Sequence, residues 1–360
     1  MLGRFNCSML DCINDTQQAF VNIVEHRKEN TKSLLDYLGN NIHELNEIVF
    51  VGSGSSSTSA LTSRIFVEKV TELSTTVIFP NDFLHNTYVY NPKALYVFTS
   101  QTGTSIVTRK AQRFVKEKGY FHVSVSESKD TPMAQEADCF ISMDCGIEEY
   151  PMRTTGFCAT VLTHMIMGLE IALAKGKISE AEYLNYINDA KKIPESHKKI
   201  VNQTLAWLKT SKRRMLRSDL IVFTGADMLY GVSLEGAMKV WETLQVASVG
   251  YEIEEGIHGP NYGYNSRHCV IVLNNGGREN NKCLALGKYM KEVFDNGYII
   301  GENVEDDTDL KLSIESNDFY ALEFAPVVQV IAYKLAEDQG RDLYAHHDNS
   351  KMESYFKTHS

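Results

Sequence analysis

With 360 residues, 43% of them hydrophobic and 23% charged, the chain has ordinary globular composition, and its length suggests two domains or one domain built from two halves. A formal net charge of −10 argues against nucleic acid as a partner, and no apolar run reaches membrane-spanning length, so neither nucleic acid nor membrane is expected as a partner. Seven cysteines, an odd number with no CxxC pair, and an N-terminus (MLGRFNCSMLDC) without a basic start or long apolar core point to a reduced, cytoplasmic setting.

From about Thr16 to Asn46 apolar residues recur at helical spacing (Phe20, Ile23, Val24, Leu34, Leu35, Leu38), giving a helical lead-in over 1–46. A β-rich run, Ile48–Val51, then meets a glycine turn and a helix that begins among hydroxyl residues. TTVIFP, ALYVF, YFHVSVSE and CFISMD read as the next four strands, with a helical stretch, TSIVTRKAQRFVKEKG, between the second and third of these. TTGFCATVLTHMIMGLEIALAKG is long and apolar and ends at Gly176; its polar residues mark a buried helix rather than a membrane span. A charged helical linker occupies 177–217.

After the linker the pattern restarts. DLIVFTGADMLYGVSLEGAMKVWETL resembles NEIVFVGSGSSSTSALTSRIFVEKV, with Gly225 matching Gly52. HCVIVLNNGG matches ALYVFTSQTG, and FAPVVQVIAYKLAEDQG matches the long apolar helix. The chain therefore reads as two similar α/β halves, each a parallel sheet covered by helices on both faces, over 47–176 and 218–343, followed by a tail over 344–360.

Two turns in the first half are rich in neutral donors: GSGSSSTSA, Gly52–Ala60, and SQTGTS, Ser100–Ser105. Each follows a strand and leads into a helix, where unsatisfied N–H groups and the positive helix end favour an anion. Either turn alone reads more simply as a helix cap; two in one half make coincidence less satisfactory. Ser55, Ser56, Ser100, Gln101, Thr102 and Ser105 are the candidate phosphate ligands. The dinucleotide pattern GxGxxG is not met and the Walker A lysine is missing, which disfavours a nucleotide.

In the second half, SLEGAMKVWETL reads as a helix opened by Ser233, with Glu235, Lys239 and Glu242 on one face. Spacing alone fits a solvated, salt-bridged face. The following YEIEEGIHGPNYGYN reads as a loop carrying Glu254, Glu255 and His258, and a carboxylate on a rigid helix with a histidine on a nearby loop suits proton transfer on a sugar. No cofactor is called for, and adjacent His346 and His347 lack a matching third metal ligand.

VGSGSSSTSA, TSQTGTS, LEGAMKVWET and EEGIHGP together resemble the sugar isomerase (SIS) family, from about Ile48 to Leu343. They are most similar to the two-SIS-domain isomerase half of glutamine–fructose-6-phosphate aminotransferase and to stand-alone phosphosugar isomerases, glucosamine-6-phosphate deaminases and fructosamine-6-phosphate deglycases. The resemblance implies that Ser56, Ser100, Gln101, Thr102 and Ser105 bind a sugar phosphate and that Glu242 is the isomerising base, with Glu235 and Lys239 beside it. It implies that His258 opens the sugar ring, with Glu255 before it, and that the histidine serves a second subunit, hence a homodimer. Glu148, in GIEEYPMRTTGFCAT, is a lesser candidate near the site.

Two departures shape the expected activity. The sequence begins directly with the sugar-binding part, with no glutaminase domain before it, so full aminotransferase activity is not expected. Where the family's tail reads PRNLAK, this one reads GRDLYAHHDNSK: the Schiff-base lysine position holds Ala345, and Lys351 or Lys357 would substitute only through a shifted tail. The expectation is an enzyme acting on a 6-phosphorylated (amino)sugar by isomerisation, deamination or deglycation, with proton transfer between C1 and C2. The alternative is a non-catalytic phosphosugar-binding regulatory protein.

Overall fold

The computed structural model describes residues 7–344 and 350–360. Its described residues form two compact units, and the chain interleaves them. The first unit is made of Gln18–Lys191 with the described part of His346–Ser360; the second is made of the described part of Met1–Gln17 with Lys192–Ala345.

In chain order the helices are α1 (Met9–Glu25), α2 (Arg27–Leu38), α3 (Ser55–Thr71), α4 (Pro80–His85), α5 (Ile106–Glu117), α6 (Pro132–Glu136), α7 (Thr155–Ala174), α8 (Glu180–Ala190), α9 (Ile193–Met215), α10 (Met228–Thr243), α11 (Ile253–Gly256), α12 (Asn280–Phe294), α13 (Ala321–Asp338) and α14 (Ser350–Glu353). The strands are β1 (Glu47–Val51), β2 (Ser74–Ile78), β3 (Ala94–Thr99), β4 (His122–Ser126), β5 (Phe140–Ser142), β6 (Leu220–Gly225), β7 (Ala247–Glu252), β8 (His268–Asn274), β9 (Gly297–Gly301) and β10 (Leu310–Lys311).

The first unit holds one parallel sheet of order β2-β1-β3-β4-β5, the second one of order β7-β6-β8-β9-β10. Taken along each half of the chain, both orders are 2-1-3-4-5. The duplication read from the sequence is therefore a duplication of topology. Central strands are apolar throughout because helices cover both their faces: every residue of β3 is buried, and β8 is buried after its first residue. Edge strand β7 (ASVGYE) is mostly half-exposed and carries no apolar run. The sequence reading therefore placed Tyr251 and Glu252 in a loop, and did not foresee the helical turn α11 after them.

Helix α7 is apolar and long enough to cross a membrane by length and composition, but 89% of its most apolar window is buried inside the protein. It is a core helix, packed along α3. Helix α13 takes the same place in the second unit, packed on α10 and α9.

Candidate functional site

A sheet of order 2-1-3-4-5 reverses its direction of growth between its first and third strands, and ligands in such sheets bind beyond the carboxyl ends of those strands. In the first unit both hydroxylic turns lie there, one after β1 and one after β3. Ser55 and Ser56 open α3 and are half-buried; Gly54, at φ 60°, is its N-cap. Ser100 and Gln101 are buried, and Thr102 and Ser105 half-buried. The turn after β3 is closed by Gly103 N–H donating to Ser100 O (3.0 Å), with the Thr102 and Thr104 hydroxyls 2.8 Å apart and those of Ser105 and Thr108 2.9 Å apart. Gly103 sits at φ 63°, and a Cβ there would lie 2.5 Å from Thr131 Cβ, so both conformation and space require glycine.

The last residues of the chain pair with this turn. Ile106 N–H donates to Thr358 O (3.0 Å) and Ser360 N–H to Thr104 O (3.1 Å), an antiparallel bridge centred on Ser105 and His359. The Arg109 guanidinium donates to the Ser360 hydroxyl. The first amide of α5, one of the donors a phosphate would use, is thus engaged by the tail.

Beneath the turns, α7 contributes His164. Its Nδ1 lies 3.2 Å from Ser63 Oγ on α3 and its Nε2 3.0 Å from Thr99 Oγ1, one residue before Ser100. The ring is fully buried, and burial pushes its pKa down to about 3, so it is neutral.

Beside the turn, Gln101 Nε2 donates to Glu148 Oε2 (3.2 Å). The Glu148 carboxylate is buried and also accepts from Thr154 N–H (2.6 Å), Thr154 Oγ1 (2.8 Å), Thr155 N–H (3.1 Å) and Gly156 N–H (2.9 Å). It thus occupies the positive N-terminus of α7. Arg153 Nη1 donates to the carbonyl oxygens of Glu148 and Tyr150 and fixes the loop between them. Glu127, whose N–H donates to Gln101 O (2.9 Å), stands on the other side; burial pushes its carboxyl up, and Arg153 opposes that. The sequence reading did not single out Glu127, Arg153, His164 or the tail contact. They lie 22 to 255 residues from Ser105 in the chain, so only the fold brings them to the turn.

The second unit holds the candidate acid–base residues. Helix α10 begins at Met228, after Asp227 at φ 53°, and not at Ser233. Ser233 lies inside the helix and turns its hydroxyl back to Leu229 O (2.8 Å), as serines within helices do. Glu235 and Lys239 are fully buried, so this face is not a solvated one. Lys239 Nζ lies 3.4 Å from Glu235 Oε1 and 2.6 Å from Glu242 Oε2, and the Glu242 side chain stays about one-third exposed (32%). One ammonium thus links a buried carboxylate to one that faces out.

Glu255 lies in the short helix α11 and His258 just after it. The His258 ring is 64% exposed, and its Nδ1 lies 2.9 Å from Glu254 O, within its own loop. Glu255 is exposed, with its N–H donating to Glu252 Oε2 (3.2 Å). Glu254 is paired with Lys282, which holds its carboxyl below the usual range. Lys351 and Lys357 are exposed. Ala345, His346 and His347 lie outside the described residues. Among the described residues no group of three or more His, Cys, Asp or Glu side chains is placed to hold a metal ion.

Comparison with known proteins agrees with the fold. The SIS domain family matches residues 41–174. The glutamine–fructose-6-phosphate aminotransferase [isomerizing] of Fusobacterium nucleatum is 23% identical over 332 residues, covering 90% of this chain and 54% of that protein. The corresponding Neisseria meningitidis protein is 24% identical, covering 69% of this chain and 40% of its own length. The chain thus spans about half the length of the curated relatives it matches. Among solved structures, a protein of Clostridium difficile 630 described provisionally as a phosphosugar isomerase superposes with a TM-score of 0.85 at 25% identity, covering 97% of this chain and 98% of that one. The C-terminal domain of glucosamine-fructose-6-phosphate aminotransferase from Francisella tularensis shares the fold, with a TM-score of 0.82 at 20% identity over 93% of this chain and 97% of that one. Residues 41–174 thus match the SIS domain family, and a second sheet of the same order follows them, a fold consistent with two tandem SIS α/β domains.

Proposed function

We propose that this chain is an enzyme acting on a 6-phosphorylated sugar or aminosugar, moving a proton between C1 and C2 in the course of isomerisation, deamination or deglycation. Ser55, Ser56, Ser100, Gln101, Thr102 and Ser105 anchor the phosphate through neutral donors, with the α5 N-terminus adding a favourable field. Glu242 takes the carbon-bound proton as a general base and returns it to the neighbouring carbon, and His258 opens the sugar ring. Lys239 fixes the Glu242 carboxylate, and Glu235 balances the ammonium inside the protein. Glu255, exposed on the histidine loop, is assigned the acidic role beside His258.

The observation that supports this reading most directly is the fully buried Lys239 between buried Glu235 and the outward-facing Glu242. A buried charge set of this kind is costly to build unless it serves a purpose. The solved relatives include a glucosamine-6-phosphate deaminase from Thermotoga maritima, alike in fold at 20% identity with a TM-score of 0.70. The test is a mass-spectrometric screen of hexosamine and ketosamine 6-phosphates, reading ammonia or free amino acid release and sugar isomerisation. Full turnover by a Glu242→Gln variant on the accepted substrate would overturn the assignment.

The exposed His258 also favours a homodimer in which this histidine completes the site of a second copy. Light scattering checks the mass. Mixing inactive Glu242→Gln and His258→Ala chains checks the sharing, since activity returns only if the two residues work across subunits.

A further inference from the structure

We infer that Glu148 is a positioning residue that sets the Gln101 side chain on the hydroxylic turn, and that residue 156 is glycine to leave that side chain room. This rests on the proposed role of the turn in binding phosphate and adds the device that orients one of its donors. Four donors from the start of α7, Thr154 N–H, Thr154 Oγ1, Thr155 N–H and Gly156 N–H, hold the Glu148 carboxylate, and a fifth bond joins it to Gln101 Nε2. A carboxylate saturated by one helix end is a rigid acceptor, so it fixes the amide that points at it. Gln101 is more than nine-tenths buried, and its Oε1 has no hydrogen-bond partner among the described residues. That oxygen lies against the backbone of Gly156: a Cβ built there would stand 1.7 Å from Oε1 and 2.4 Å from Cδ. Any larger residue at 156 must push Gln101 off its place while leaving the helix intact.

A role for Glu148 as a helix cap alone makes a different forecast. Glu148→Gln keeps a carbonyl oxygen for the α7 amides, so a cap-only role forecasts at most a change in stability, with the Gln101 amide undisturbed. Positioning forecasts a displaced Gln101 amide.

The experiment takes the full chain with Gly156→Ala, Gln101→Leu and the double variant, and Glu148→Gln as a second route to the same release. Two quantities are read: proton exchange at the Gln101 side-chain amide by ¹H–¹⁵N spectroscopy, and affinity for inorganic phosphate by calorimetry. Gly156→Ala is expected to speed exchange at that amide and to weaken phosphate binding about tenfold, the worth of one charge-assisted hydrogen bond. Gln101→Leu should weaken binding as much, and the double variant no further, because both changes act on one side chain. An unaltered Gln101 amide in Glu148→Gln or in Gly156→Ala, or losses that add in the double variant, overturns the inference. If the wild-type protein binds no phosphate while Gly156→Ala still frees the amide, the positioning link stands and the phosphate reading falls.

Discussion

Lys239 places its ammonium 2.6 Å from the Glu242 carboxylate, three residues along the same helix, while being fully buried itself. The pair therefore couples stability to the proposed chemistry. Lys239→Met removes the charge that balances Glu235, which has no exposure to water. The expected destabilisation is about 3–5 kcal/mol, the usual result of breaking a buried ion pair from one side. Urea unfolding of the two proteins at equal concentration measures it.

Glu242→Gln is isosteric and lies at the outward end of the trio, so its effect on stability should be small. Its effect on turnover should be large: loss of a general base costs about 10²–10⁴-fold in kcat. Affinity for inorganic phosphate should be unchanged, because the proposal gives that group to the hydroxylic turns. A parallel fall in kcat and phosphate affinity would contradict this division of labour.

If the turn binds phosphate as proposed, phosphate and the tail compete for one amide. Ile106 N–H is bonded to Thr358 O, and Ser360 N–H to Thr104 O. Deleting Thr358–Ser360 frees the α5 amide and should tighten phosphate binding by about two- to tenfold, the worth of one hydrogen bond. Ser360→Pro removes only the second bond and should give a smaller change of the same sign. Titration calorimetry with inorganic phosphate reads both.

Two buried histidines should make the protein acid-labile. Burial lowers His164 to about 3 and His197 to about 4, against an unfolded value of 6.5. Below pH 6.5 the unfolded chain takes up protons that the native rings refuse. Stability is therefore fully present above that pH and falls as pH drops toward 4. Each ring contributes about 1.4 kcal/mol per pH unit in that window. Glu127 and Glu323, raised by burial, act in the opposite sense just above the ordinary carboxylate range, since their native forms keep protons that the unfolded ones lose. Comparing His164→Gln with wild type isolates one histidine: the variant's unfolding free energy should fall less steeply between pH 6.5 and 4.

Much of the fold was legible because apolar runs mark the central strands. EIVFV, ALYVFT and CVIVLN are nearly all buried, as parallel strands under two helical layers must be. Edge strand β7 and two-residue β10 carry no such run and escaped notice. The hydroxylic turns were legible because glycine and serine after a strand have a specific use there. Burial of Glu235 and Lys239 was not: spacing places charges on one face of a helix but does not say whether that face meets water or the packed side of α13. Glu148 stood out only through resemblance: four of its donors are local, at 154–156, but the Gln101 amide that it fixes lies 47 residues away and is brought to it by the fold.

The interleaving of the two units bears on how the protein is made. Tyr344 bridges to Ser8, and Ser360 reaches Arg109 across 251 residues of chain. Each unit thus takes a segment from the far end of the polypeptide. During synthesis the sheet of residues 47–142 emerges early but waits for residues 358–360 before its turn is covered, and helix α1 waits for residues near 344. Such distant closures are slow to form. A cut between residues 191 and 192 would yield two fragments that each lack a segment of their own packing, so the halves, although similar, are not separable modules.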